Sequence, residues 1–168
     1  AYAKLNDDAE VSRAFSIIIQ LSLAIMSLSV LLAYMALEFA IPVLWLKNGQ
    51  TIGKKIFGLA VMRTDSVRVK PIAMLIRTLL GKYTIETMAP LLIIFLILFG
   101  SLGTVGLIML AALALLQIVL IAATRTNSAI HDILAQTVVV DMESQMIFDS
   151  AREREARRRE YAEADSAR

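Results

Sequence analysis

The sequence predicts an all-α membrane protein with three transmembrane helices, short interfacial helices and a small cytoplasmic β-hairpin or sheet. Composition is the first observation behind this. The 168 residues are 58% hydrophobic and 19% charged, with mean hydropathy +0.68, which leaves too little polar surface for a water-soluble domain of this length. Charge segregation is the second. Nearly all charges fall before Ala14, from Lys47 to Lys82, from Arg125 to Asp149, or from Arg152 onward. The third is that the apolar stretches between these patches are long enough to cross hydrocarbon.

Residues 1–13 are polar, and Asp8 is placed to cap a helix beginning nearby. Ala14 to Leu46 follows with one charge, Glu38. As a helix it would be about 50 Å long against about 30 Å of hydrocarbon, so it tilts or stands out of the membrane. Pro42 predicts a kink near its end, and Trp45 with Lys47 reads as an interfacial anchor.

The loop 47–82 is the one long polar segment between the apolar blocks. Asn48-Gly49 signals a turn, Thr51 caps a short helix over Ile52 to Phe57 carrying Lys54 and Lys55, and Gly58 ends it. Leu59 to Arg63 and Val67 to Lys70 are strand-like around a Thr64-Asp65-Ser66 turn. Pro71 starts an amphipathic interfacial helix, Ile72 to Leu80, with Arg77 on its polar side and Gly81 closing it. Thr87 to Thr124 is uncharged and holds three glycines in Gly100 to Gly106, which divides it into spans of about 84–99 and 105–123.

After the last span, Asn127 or Ser128 caps a short helix, Ala129 to Ala135, and Thr137 to Met142 is a β-branched strand. This segment echoes the loop. Residues 51–63 and 129–141 both read as short helix, breaker, strand, with Val61 over Val139 and Lys54 over Asp132. The expected cytoplasmic sheet combines 58–63, 67–70 and 137–142. Residues 1–142 thus form a transmembrane domain with a cytoplasmic helix–strand at 127–142. The charged cytoplasmic tail 143–168 has Glu153/Arg157 and Glu155/Arg159 at helical spacing.

Basic residues in the loop 47–82 and after Thr124 place both on the cytoplasmic side by the positive-inside rule. The N-terminus must then lie outside, and a chain starting at Ala1 rather than Met leads us to expect a fourth, N-terminal span missing from it.

The blocks GQTIGKKIFGLAVM and TRTNSAIHDILAQTVVVD, with Arg77 between them, resemble the RDD family of membrane proteins over residues 30–142. Gly49, Thr51, Gly53, Lys54, Gly58, Leu59 and Val61 stand at the family's spacing, as do His131, Asp132, Leu134, Ala135, Thr137, Val139 and Val140. Gln136 stands where the family has glycine, and Asp7-Asp8 is not the family's Arg/Asp/Asp motif around a first span. The resemblance implies a bacterial cytoplasmic membrane location and, in function, transport of a small ion or solute, with cation/proton exchange one specific form.

An ionisable residue inside a span marks an ion or proton path by default, so Glu38 and Glu86 are the candidates for one. Thr51, Lys54, Lys55, Arg77, His131 and Asp132 form the candidate lipid-headgroup or interfacial polar network. Within it Lys54 is expected to pair with Asp132 or a lipid, and Arg77 with Glu86 or a headgroup. His131 and Asp132 are expected to fasten their short helix to the segment around residue 54. As neighbours pointing about 100° apart on a helix, they are not expected to act as a dyad. Gly49, Gly53, Gly58 and Thr137 are read as structural. With no Cys and one His, disulfides, thiolate sites and multi-histidine metal sites are excluded, and no cofactor is expected. Gln20 and Gln117 add polar groups within spans.

Transport is set against a second reading, a non-catalytic lipid-binding or scaffold subunit of a larger membrane complex. An enzyme is not expected: the sequence holds neither HExxH nor a nucleophile elbow. The expected partners are membrane lipids and further copies or subunits of a membrane complex. A net charge of +2 does not call for nucleic acid.

Overall fold

A computed structural model describes residues 9–46 and 48–166. The Asp8 cap and the Lys47 anchor lie outside the described residues. Three helices are long and apolar enough to cross a membrane: α1 (Ala9–Trp45), α3 (Pro71–Leu98) and α4 (Gly103–Ala123). Between and after them come the short helices α2 (Ile52–Ile56) and α5 (Ile130–Ala135), strands β1 (Leu59–Arg63) and β2 (Thr137–Asp141), and the C-terminal helix α6 (Ala151–Ser166).

Two helices change pitch. The last part of α1, Met35–Trp45, and the middle of α3, Arg77–Met88, are wound as π-helix. Pro42 removes one amide donor from the first stretch. In the second, the Thr84 and Thr87 hydroxyls donate to the carbonyls of Leu79 and Lys82, five residues back, at 2.8 Å each. Such turns recur at functional sites, and these two carry Glu38, Arg77, Lys82 and Glu86.

The interfacial helix expected over Ile72 to Leu80 is the first part of α3, which begins at Pro71 and continues through Gly81 to Leu98. Gly81 does not end the helix, and the span expected at 84–99 is correspondingly longer. What Gly81 provides is room. A Cβ at Gly81 would collide with the backbone and Cβ of His131, so glycine lets α5 lie directly on α3. Between α3 and α4 the glycine turn forms as expected, with Gly100 and Gly103 at φ +71° and +48°.

The sheet has two strands, β1 antiparallel to β2. The third expected strand, 67–70, contributes only isolated bridges, Met62 to Arg68 and Val67 to Phe148. Arg68 and Ser66 instead bond the backbone of Phe148, so the tail, not an internal strand, extends this edge. The echo of 51–63 in 129–141 is spatial. Val61 and Val139, which the echo superposes, pair with each other at the centre of the antiparallel register. The two strands are therefore related locally by an approximate two-fold axis through that pair.

Thr51 caps α2, its Oγ1 accepting the Lys54 amide at 3.4 Å, and Gly58 ends that segment at φ +67°. The cap expected from Asn127 or Ser128 is not made. Ala129 occupies that position without a side-chain bond, because the Ser128 amide donates to Thr124 Oγ1 and its hydroxyl pairs with Thr126. Val61, Val69 and Met74 form a small core with Phe39 and Val43 of α1 packed against it, which seats the sheet on the membrane helices. In α6 the ion pairs are Arg157–Glu160 and Arg154–Glu155 rather than the expected i,i+4 pairs. Glu153 is drawn back to the Asp149 amide, while Ser150 accepts the Glu153 amide.

Candidate functional site

The candidate site is a chain of ionisable groups where α5 crosses α3. Arg77 Nη2 donates to Asp132 Oδ1 at 2.9 Å, and the two side chains are 2% and 7% exposed. The Asp132 Oδ1 also accepts the Thr137 hydroxyl at 3.0 Å. His131 Nδ1 lies 2.8 Å from both Glu86 oxygens, and His131 Nε2 lies 3.3 Å from Asp132 Oδ2. Glu86 Oε1 further accepts the His131 amide at 3.2 Å and Gln117 Nε2, from α4, at 3.3 Å. Beside this cluster Lys82 Nζ donates to Glu38 Oε2 at 2.6 Å, and the Thr78 hydroxyl donates to the Glu38 carbonyl.

Three expected pairings are corrected. Asp132 is held by Arg77, not by Lys54, because the α5–α3 crossing buries Asp132 against the guanidinium. Glu86 is held by His131 rather than Arg77. Arg77 itself is not on a polar interfacial face but buried. The segment that His131 and Asp132 fasten is α3, not the region around residue 54. They also engage each other, since the imidazole turns its Nε2 back toward its neighbour's carboxylate.

Lys54 is half-buried and electrostatically near the cluster. Burial first, then the like charges of Arg77 and Lys82, push its ammonium down to about 8. Lys55 is exposed, as a residue serving topology and interfacial anchoring would be. Gly49 packs its backbone against Val61 at φ +63°, while Gly53 has open space around it. Thr137, only 1% exposed, is a member of the cluster through its hydroxyl as well as a strand residue. Gln117 belongs to the site; Gln20 bonds only Ser16 on its own helix.

Sequence reasoning passes over Lys82, Thr78 and Gly81. A signal for Lys82 exists, since a carboxylate in an apolar run demands a cation, but nothing local picks it from the loop's other basic residues. Among the described residues no group of acidic or histidine side chains has metal-holding geometry.

No curated protein and no solved structure gives a match to this chain. The RDD family model matches residues 9–136, starting ahead of the stretch on which the motifs lie. That span includes all three membrane helices, both short helices and every ionisable residue of the cluster, and ends one residue before Thr137. The chain belongs to the RDD family.

Proposed function

We propose that this multi-pass membrane protein exchanges a small monovalent cation for a proton, with His131 holding the proton. The observation that carries this reading is the placement of both imidazole nitrogens against carboxylates, Glu86 on one side and Asp132 on the other. An imidazolium donates from Nδ1 to Glu86 and sets its charge 3.3 Å from Asp132; a neutral imidazole keeps at most the Glu86 hydrogen bond and loses that charge. Arg77 and Asp132 balance each other, as do Lys82 and Glu38. The proton on His131 is then what balances Glu86. When it leaves, the cluster carries one uncompensated negative charge in a low-dielectric setting, and a monovalent cation restores neutrality. Competition for one charge is the simplest physical basis for exchange.

Basic residues on the sheet side orient that side to the cytoplasm in this reading. Three spans are few to shield a path from lipid, so we take the working unit to be a homo-oligomer or a complex with other subunits.

The test is proton flux in proteoliposomes under imposed Na⁺, K⁺ or alkylammonium gradients. Glu86→Gln should reduce flux to the level of empty liposomes while the protein still inserts and unfolds cooperatively. Glu38→Gln, which strands Lys82, should lower it without altering the His131–Glu86 contact. Wild-type protein with no flux for any cation would overturn the reading. The lipid-binding or scaffold alternative draws on one observation, the tail: it adds backbone bonds at Ser66 and Arg68 and the Arg154 bond to the Asp65 carbonyl, holding an exposed charged helix ready for another protein.

A further inference from the structure

Between α3 and α4 lies a cavity of about 440 Å³ whose walls include Ile85, Pro90, Leu113 and Ile130 and whose polar side chains, among the described residues, are Glu86 and Gln117. The same carboxylate that holds His131 thus faces an apolar chamber on its other side. Gln117 is six residues before the sheet-side end of α4, about 9 Å along the helix, so the chamber lies shallow in the membrane and within both spanning segments.

From these features, and resting on the exchange reading, we infer that the chamber seats the exchanged cation and that this cation is an amphiphilic organic ammonium. Charge selects the head: among the described residues Glu86 is the one charged lining group and no basic residue lines the walls. Coordination argues against an alkali ion at this seat. A dehydrated Na⁺ or K⁺ requires a shell of oxygens of the kind channel filters supply, whereas one carboxylate and one amide line this chamber. An alkylammonium needs one carboxylate for its head and apolar wall for its chain. The depth fits a molecule that enters from the lipid with its head near the interface.

The step is electroneutral. An ammonium ion pairs with the Glu86 carboxylate, the imidazolium of His131 loses its compensating charge and releases one proton, and the net charge of the cluster is unchanged. Every group facing Glu86 fits this account. From α5 there is His131, backed by Asp132, which Arg77 and Thr137 hold. From α4 there is uncharged Gln117. On its own helix Arg77 acts at a distance, and Lys82 is turned to Glu38 of α1.

The test is calorimetric titration of the full chain in lipid nanodiscs with octylammonium, octanol, octanoate and NaCl. It is run in two buffers of different ionisation enthalpy to count protons. The expected result is saturable octylammonium binding with about one proton released per ligand, and affinity rising about tenfold per pH unit while that proton is present to displace. Glu86→Gln should abolish binding, and so should Ala114→Phe, which fills the chamber and leaves the carboxylate in place. Octanol binding as well as octylammonium, or Glu86→Gln retaining the amine, would make the chamber a lipid-chain crevice and overturn the inference. If Na⁺ or K⁺ drives proton flux yet octylammonium neither binds nor exchanges, the substrate class fails and the exchange reading survives. If no cation drives flux, that reading fails and this inference with it.

Discussion

Arg77 illustrates how a single side chain in this protein balances cost against position. Its guanidinium is 2% exposed, yet Nε and Nη1 are buried without a hydrogen-bond partner among the described residues, a cost of about 1–3 kcal/mol per unmet group. The pair with Asp132 offsets the loss of hydration because the Thr137 hydroxyl also donates to the aspartate and the His131 imidazole lies 3.3 Å from its other oxygen. Removing one partner leaves the other charge stranded. Asp132→Asn and Arg77→Met should each destabilise the protein by about 3–5 kcal/mol, and the double replacement with apolar residues should recover much of that. Urea unfolding in mild detergent, followed by circular dichroism, measures both; additive losses would mean that the pair is not an energetic unit. The sequence makes both residues visible, Asp132 within a motif block and Arg77 as a charge on the stretch between the two blocks. It does not join them, because they are 55 positions apart and the contact exists only where α5 lies across α3.

At the scale of elements, two positions with opposite demands decide how α5 is seated. Gly81 must remain without a side chain, because His131 occupies the space a Cβ would fill. Gln136 closes α5 at φ +52°, ψ +45°, the left-handed conformation that costs a side-chain-bearing residue about 1–2 kcal/mol and that its family fills with glycine. Gly81→Ala should therefore lower the thermal midpoint and disturb the His131–Glu86 contact. Gln136→Gly should raise stability by about 1 kcal/mol, less what glycine's freedom costs the folded state. Differential scanning calorimetry of the two variants gives both signs; a stabilising Gly81→Ala would show that α5 does not press on α3. Helix propensity and glycine punctuation make Gly81 look like a stop, but i→i+5 bonding and an apolar continuation carry α3 through it. A breaker reading misses close approach because the approaching residue is not in the window.

For the whole molecule, pairing of β1 with β2 requires the loop after α1 and the segment after α4 to share one membrane face, and the tight turn near Ser101 to lie at the other. With no native Cys, single cysteines introduced at Thr64, Ser144 and Ser101 report this directly. An impermeant maleimide should label Ser101→Cys in intact cells, and Thr64→Cys and Ser144→Cys only after permeabilisation. Labelling of Thr64→Cys and Ser144→Cys from opposite sides would dismantle the sheet. Span number, the glycine turn and the two strands β1 and β2 are legible, because hydrophobic length and β-branching are local quantities. The segment Val67 to Lys70 does turn back onto β1, through Met62 to Arg68 and the Arg63 amide to the Val67 carbonyl, but it forms bridges and not a full strand, and its other side meets Phe148 of the tail.

Composition and charge segregation by themselves determined that this chain is a membrane protein with three spans and a polar module on one face, because hydrophobic transfer is summed residue by residue along the chain. Isolated charges in apolar runs and the motif blocks likewise marked Glu38, Glu86, His131 and Asp132 as candidates. Only tertiary structure decided which of them meet. Asp132 could have answered Lys54 or Arg77, and Glu86 could have answered Arg77 or His131; the choice depends on where two helices cross and how far π-winding turns a face. Charge pairing inside a membrane helix bundle is decided at distances of about 3 Å, and spacing along the sequence does not encode a distance that short between elements so far apart.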